Sequence, residues 1–274
     1  MSPRGDLAVV IPARNESDRI GATVRAAALI PGVDIVVVVD DGSSDGTGCE
    51  AAVAGATVVR HARNRGKAAA METGAEAVRV IEAERATVGP ALAGTPGKAV
   101  ARPRHLLFLD ADLAETAAKA WPLAEPVLAG RADMSIAVFS TKVKRGGHGL
   151  VTGLSGAGIE RATGWRPTEP LNGQRCLTRR AFEAARPLAP GWGAETGLTI
   201  DLLRSGMRIV EVQVPLAHRA TGKDLSSQVH RARQLLGVAR ALAERQRWRQ
   251  ATGRLDEQVA GQHEPHEPGV AVAP

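Results

Sequence analysis

Leu106-Leu107-Phe108-Leu109 runs straight into Asp110-Ala111-Asp112, and no other stretch of the chain constrains the fold so strongly. Four apolar residues without polar alternation predict a strand buried on both faces, as inside a parallel sheet. Two carboxylates at the tip of such a strand are costly unless something offsets their charge. In an open α/β sheet the carboxyl ends of the strands are where ligands bind. Hard oxygen donors there suit Mg2+ or Mn2+, ions that also hold substrate phosphates. The competing explanation is local, since Asp112 precedes Leu113-Ala114-Glu115 and would serve as a helix N-cap.

The amino-terminal half repeats the strand-then-helix pattern. Leu7 to Ile11 predicts a first strand stopped by Pro12, and Ser17 to Leu29 a helix with Ile20, Val24 and Ala27/Ala28 on one face. Asp34 to Val39 predicts a second buried strand that leads into Asp40-Asp41-Gly42-Ser43-Ser44-Asp45-Gly46-Thr47. Ser44 or Asp45 is expected to cap the short helix Cys49 to Ala54. Ala56 to Arg60 predicts a third strand, and Arg65-Gly66-Lys67 opens a helix to about Ala83. Three such units imply right-handed crossovers and a mostly parallel sheet with helices on both faces.

Residues 84–104, rich in Gly, Pro and Ala, predict a flexible insertion. After the central strand come a helix from Leu113 to about Ala129, a strand at Met134–Phe139, a basic Gly-rich loop from Lys142 to Gly149 and a helix from Leu150 to Thr163. Pro167 to Thr178 predicts irregular chain, followed by a short helix at Arg179–Ala185, another through Leu203 and a strand from Met207 to Val214. Apolar spacing from Asp224 to Leu242 predicts one long C-terminal amphipathic helix, and 251–274, polar and Pro-rich without period, a disordered tail.

No apolar run approaches the ~20 residues of a membrane span, and the first strand starts without a secretory leader, so a cytoplasmic chain with reduced Cys49 and Cys176 is expected. Charge is localised. Between Arg219 and Arg254 nine cations face two acids, a balance of +7 within a whole-chain +6, leaving −1 elsewhere. A basic helix without interleaved aromatics does not predict nucleic-acid binding. It suits a local anionic partner, with peripheral contact at the inner membrane face as one form.

Two further acid clusters, Asn15/Glu16 and Asp40/Asp41, fall at neighbouring strand tips. Together with Asp110/Asp112 they suit a nucleoside beside a metal-bound diphosphate. No Walker loop, Gly-x-Gly-x-x-Gly or Cys-x-x-Cys is present, which removes the corresponding chemistries.

Val10-Ile11-Pro12-Ala13-Arg14-Asn15-Glu16, Asp40-Asp41-Gly42-Ser43-Ser44-Asp45-Gly46-Thr47, Asn64-Arg65-Gly66-Lys67 and Leu109-Asp110-Ala111-Asp112 stand in the order and spacing of family 2 glycosyltransferases of GT-A fold, which the chain resembles. The resemblance implies a Rossmann-like α/β domain over 1–250, with 1–115 binding a nucleotide-sugar donor and 116–250 the acceptor. It implies that Pro12, Ala13, Asn15, Glu16, Asp41, Gly42 and Ser43 form the nucleoside pocket, Asp41 against the base. Lys67 would approach the donor, Asp110 the ribose and metal, and Asp112 the Mg2+ or Mn2+ ion. Gly193-Ala194-Glu195-Thr196-Gly197-Leu198 and Ala217-His218-Arg219 resemble the glucosyl-3-phosphoglycerate synthases. By that likeness Glu195 contacts the sugar, His218 completes the metal site, and Gly147, His148 and Thr152 bind the acceptor.

The implied reaction is metal-dependent transfer of a sugar from a UDP-glucose-like or GDP-sugar donor, with Lys67, Asp112 and Glu195 as the catalytic set. Retention of anomeric configuration is expected, because Glu195 is the one acid near the acceptor side. Three other readings stay open. The acceptor is either a small phosphorylated or carboxylated acid or a polyprenyl phosphate. The chain could instead be a non-catalytic nucleotide-sugar-binding module. A homodimer is compatible with all of them.

Overall fold

A computed structural model of the chain describes residues 6–93, 102–139, 149–216 and 235–245. Seven strands form one sheet in the order β3-β2-β1-β4-β6-β5-β7. They are β1 Leu7–Ala13, β2 Val33–Asp40, β3 Thr57–Arg60, β4 His105–Phe108, β5 Met134–Phe139, β6 Arg175–Leu177 and β7 Ile209–Val214. The helices are α1 Ser17–Ala27, α2 Thr47–Val53, α3 Lys67–Ala93, α4 Trp121–Leu128, α5 Gly149–Thr163, α6 Arg179–Ala184 and α7 Ala194–Arg204, with α8 over residues 235–245. All pairings are parallel except those of β6, which runs antiparallel between β4 and β5. The mostly parallel α/β sheet expected from the buried runs is therefore present.

Alternation along the strands divides the core into two layers. Val9, Ile11, Leu107 and Cys176 pack with Ile20 and Val24 of α1 and Leu123 and Val127 of α4. Val10, Val37, Val39 and Phe108 pack on the other face with Met71 and Val78 of α3, Phe182 of α6 and Leu198 of α7. Both faces are covered, so the strands need apolar residues at every position. Gly74 brings α3 against the sheet: a Cβ there would lie 2.3 Å from Val10 Cγ1.

Several boundaries depart from the sequence pattern for identifiable reasons. Pro12 does not stop β1, which continues to Ala13. The Val10 carbonyl accepts the Leu109 amide on the β4 side. Pro12, two residues on, turns its ring nitrogen to that same side, beyond Phe108 where the ladder ends, so no hydrogen bond is forfeited. The N-cap of α2 is Gly46 rather than Ser44 or Asp45. Asp45 sits one residue earlier and still accepts the Thr47 amide at 3.0 Å. The helix expected from Leu113 to Ala129 is two pieces, a 3₁₀ stretch Ala114–Ala120 and then α4, because Pro122 falls in the first turn of a new helix.

Residues 84–93 of the expected insertion are the last turns of α3. Arg85 donates to Asp34 Oδ2 at 2.7 Å, and Arg104, the last residue of the expected insertion, donates to Asp34 Oδ1 at 2.7 Å. Within the stretch expected to be irregular, β6 is a strand of three residues, too short to show a period and fixed by the neighbours that flank it. Of the helix expected from 224 to 242, residues from 235 onward lie within the described part. The acceptor loop at 142–148, His218 and the tail at 251–274 lie outside it.

A third cluster, Val151, Ile159, Ile200, Val238 and Leu242, joins α5, α7 and α8. Glycines set how closely α8 approaches. A Cβ on Gly193 would lie 2.5 Å from Ala241 Cβ and 2.8 Å from the Gly237 carbonyl, and one on Gly158 2.5 Å from Leu242 Cδ1. Arg245 turns inward, its Nε donating to Asp201 Oδ1 at 2.7 Å, so this cation of the basic segment does not face solvent or lipid. Among the described residues no helix is long and apolar enough to cross a membrane.

Candidate active site

The turns after β1, β2 and β4, together with the first turns of α3 and α7, enclose a cleft of about 440 Å³. The walls are tied to one another before any ligand is considered. Asn15 adopts φ +54°, a left-handed conformation that Asn tolerates better than most residues. Its Oδ1 accepts the Ser44 amide at 2.9 Å, while its own amide donates to Ser43 Oγ at 3.0 Å. The next amide, that of Glu16, donates to Thr47 Oγ1 at 2.9 Å. The β2–α2 turn thus supplies the acceptors that the start of α1 lacks. Gly42, at φ +71°, completes this wall, since a Cβ would meet the Arg63 carbonyl carbon and the Asn64 amide at 2.7 Å.

Asp41 is the best-anchored acid in the cleft. Its Oδ1 accepts from His61 Nδ1 at 2.7 Å and from the Arg65 amide at 2.8 Å, and Oδ2 accepts the Gly66 amide at 2.8 Å. Burial pushes the carboxyl up, but the His61 hydrogen bond and the two amides outweigh it and hold Asp41 below the usual carboxylate range. His61 Nε2 in turn meets the Thr73 hydroxyl at 3.0 Å, which fixes the ring. Asp41 is therefore an ionised, oriented acceptor, suited to an N–H edge of a base.

Lys67, at the first position of α3, bridges two acids from distant parts of the chain. Its Nζ lies 2.7 Å from Asp110 Oδ1 and 3.3 Å from Glu195 Oε1. Burial pulls the ammonium down, yet the charges of Asp110 and Glu195 win and raise it, so Lys67 stays protonated. Gly173 forms the floor beneath this contact, for a Cβ there would lie 2.0 Å from Lys67 Nζ and 3.1 Å from Asp110 Oδ1. The turn that carries Asp112 is pinned by Thr23 of α1, whose hydroxyl donates to the Ala111 carbonyl at 2.7 Å and accepts the Ala114 amide at 2.8 Å. Arg19 adds a hydrogen bond to the Asp112 carbonyl at 3.1 Å.

Glu16, Asp41, Asp110, Asp112 and Glu195 line the cleft, and among the described residues that line it the cations are Lys67 and Arg14. Carboxylate oxygens gathered in this way are hard donors of the kind that suit a divalent cation. Among the described residues no group of three His, Cys, Asp or Glu side chains converges on one point, so these residues by themselves form an open rather than a closed set of ligands. Such an open set fits Mg2+ or Mn2+, which fill their remaining positions with phosphate and water oxygens. His218, the expected third ligand, falls outside the described residues, as do Gly147 and His148.

Of the expected donor-site residues, Pro12, Ala13, Glu16, Asp41, Lys67 and Asp110 line the cleft. Asp112 and Glu195 line it as well. Asn15, Gly42 and Ser43 do not; they build the wall behind it, Ser43 with its amide on Asp40 Oδ1 at 2.8 Å. Thr152 is half-buried on α5. Sequence reasoning missed His61, Thr23 and Gly173, and gave Arg14 no role although it stands inside the first motif. For His61 and Thr23 the signals were a histidine directly after β3 and a threonine among the apolar residues of α1.

Residues 8–150 match the family model of glycosyl transferase family 2. The chain belongs to that family. Relatives include the glucosyl-3-phosphoglycerate synthase of Mycobacterium tuberculosis, 30% identical over 233 residues, 78% of this chain and 66% of the relative. The synthase of Mycolicibacterium paratuberculosis is 29% identical over 71% of this chain and 59% of its own length. The chain thus spans less than two thirds of these curated relatives. The M. tuberculosis synthase solved with Mn2+, uridine diphosphate and phosphoglyceric acid superposes at TM-score 0.64, with 26% identity over 88% of this chain and 78% of that one. The same protein solved with Mg2+ and uridine diphosphate gives TM-score 0.61 at 25% identity, over 88% of this chain and 79% of that one. These neighbours carry the GT-A fold, and the seven-stranded sheet of this chain is of that kind.

Proposed function

We propose that this family 2 member transfers a sugar from a nucleotide-diphosphate sugar, uridine-linked by the likeness to its relatives, to a small phosphorylated or carboxylated acceptor. The observation that carries this reading is the convergence of Asp41, Lys67, Asp110, Asp112 and Glu195 on one cleft at the carboxyl ends of the strands. In this reading Asp41, ionised and fixed by His61, accepts the base N–H. Asp112 and Asp110 hold Mg2+ or Mn2+ together with the diphosphate, and the ion supplies neutralisation of the charge that develops on the leaving group.

Lys67 contributes a fixed positive charge beside the departing phosphates, oriented in advance by its two carboxylate partners. Glu195, engaged with that ammonium, is placed to hold the sugar in register rather than to take the acceptor proton. That arrangement favours retention of configuration. Thr152 and the loop that precedes α5 would meet the acceptor. The crystal structures of relatives that hold phosphoglyceric acid support an anionic one. Arg245 is turned inward onto Asp201, which leaves one cation fewer for a lipid-facing role, so a water-soluble acceptor and a cytoplasmic enzyme are preferred.

The test is product analysis. The protein is incubated with UDP-glucose or a GDP-sugar, Mn2+ and 3-phosphoglycerate, and the nucleoside diphosphate and the glycosylated acid are quantified. Metal-dependent formation of both supports the proposal, and NMR of the product reads the anomeric outcome. Nucleoside diphosphate release without a glycosylated acid would move the acceptor elsewhere. Inertness toward every donor would refute transferase activity.

A further inference from the structure

Among the described residues Arg175 is the largest fully buried side chain, at 0% exposure. It sits in β6 opposite Phe108 of β4, two residues short of Asp110. A charged group withdrawn from water costs several kcal/mol unless its hydrogen-bonding capacity is used and its charge is offset. Among the described residues no carboxylate lies within ion-pair distance of it. Burial pushes the guanidinium down to about 10, with Glu195 and Glu211 acting on it through space in the opposite sense, so it remains charged at neutral pH.

Its donors are instead spent on two segments that flank the cleft. Nε donates to the Asn172 carbonyl at 2.7 Å and Nη2 to the Pro170 carbonyl at 2.9 Å. Nη1 donates to the Glu195 carbonyl at 3.1 Å and to Thr199 Oγ1 at 2.8 Å. Thr199 closes the triangle by donating to the same Glu195 carbonyl at 2.9 Å. On one side this fork holds the first turn of α7, from which Glu195 reaches Lys67. On the other it holds the 170–172 turn, which is followed at once by Gly173, the floor beneath Lys67 and Asp110. Asn172 is anchored further, its Nδ2 donating to the Ala137 carbonyl at 2.8 Å. An apolar side chain would fill the same volume without the desolvation cost, but it could not tie the two segments together.

We propose that Arg175 is a positioning residue for glycosyl transfer, fixing Glu195 and Gly173 relative to Lys67 and Asp110. The inference rests on the transferase reading above. Arg175 touches neither donor nor acceptor; it sets where the groups that do so stand. A misplacement of about 1 Å in such a constellation costs on the order of a hundredfold in rate.

The test compares Arg175→Met, Arg175→Lys and Thr199→Val with the wild type in Mn2+-dependent release of UDP from UDP-glucose, alongside calorimetric binding of UDP with Mn2+. For Arg175→Met, kcat is expected to fall about 100-fold with the UDP dissociation constant within about twofold. Arg175→Lys, which can serve some but not all four acceptors, is expected to recover to about tenfold below wild type, and Thr199→Val to lose about threefold. Unchanged kcat in Arg175→Met overturns the inference, as does a loss of kcat matched by equal loss of UDP binding, the mark of a purely structural role. If Arg175→Met fails to fold, unchanged kcat in both milder variants overturns it equally. A wild type that turns over no nucleotide sugar sinks the transferase reading and this inference with it, whereas an active wild type with indifferent variants sinks this inference alone.

Discussion

Substitution of Gly173 by Ala perturbs the catalytic constellation through one methyl group and alters no charge. The added Cβ would lie 2.0 Å from Lys67 Nζ, so the ammonium has to retreat. Restoring an ordinary contact moves it by about 1.4 Å and stretches the Lys67–Asp110 pair from 2.7 Å to about 4 Å. For opposite unit charges at an effective dielectric near 20, that separation forfeits about 2 kcal/mol. If the lost interaction is felt in the transition state, kcat/KM for UDP-glucose falls about 30-fold. The effect on folding is smaller, because the two side chains are 28% and 30% exposed and solvent screens them. About 1 kcal/mol, or a fall of roughly 2–4 °C in Tm, is expected for a chain of this size. Gly153→Ala serves as the control, since nothing lies within 4 Å of its added methyl. Steady-state kinetics and thermal unfolding on both variants decide the matter. Wild-type kcat/KM in Gly173→Ala would show that the Lys67–Asp110 contact has no part in turnover.

Three further outcomes follow from the same contacts. His61→Leu removes the donor that orients Asp41 and is expected to raise the KM for UDP-glucose about tenfold with kcat within about twofold, and His61→Asn to restore part of the loss, as read by initial rates. Asp34 is pushed up by burial but held below its ordinary value of 3.8 by the stronger pull of Arg104 and Arg85. Its contribution to stability is present in full above that ordinary value and lost as pH falls through the depressed one. Urea unfolding of Asp34→Asn and wild type should therefore differ at pH 7, and the difference should shrink progressively as pH falls below 3.8. Gly193→Ala forces a methyl to 2.8 Å from the Gly237 carbonyl, so α8 should separate from α7 and residues 235–245 become sensitive to limited proteolysis at a cost of about 1–3 kcal/mol.

The sheet was legible in the sequence because a strand covered on both faces must be apolar throughout, and Val36–Val39 and Leu106–Leu109 leave little alternative. The acids at the strand tips were legible for the complementary reason that isolated charges there need a partner. Less visible were features whose cause lies far away in the chain. The three residues of β6 carry no period, and their strand conformation comes from β4 and β5 on either side. Asn15 and Ser43 carry the motif that suggests a ligand, yet their hydrogen bonds go to each other's turns. The link from Lys67 to Asp110 and Glu195 spans residues that no local pattern connects. His61 and Arg175 looked like ordinary polar residues until their burial was known.

The central claim is that the cleft takes a divalent cation together with a nucleoside diphosphate. Calorimetric titration of UDP into the wild-type protein, with Mn2+ and again with the metal chelated, tests it most directly, with Asp112→Asn in parallel. The account predicts binding that requires Mn2+ and weakens at least tenfold in the variant, about 1.4 kcal/mol. UDP binding of equal strength with and without metal, or an Asp112→Asn protein that binds as the wild type does, would contradict it.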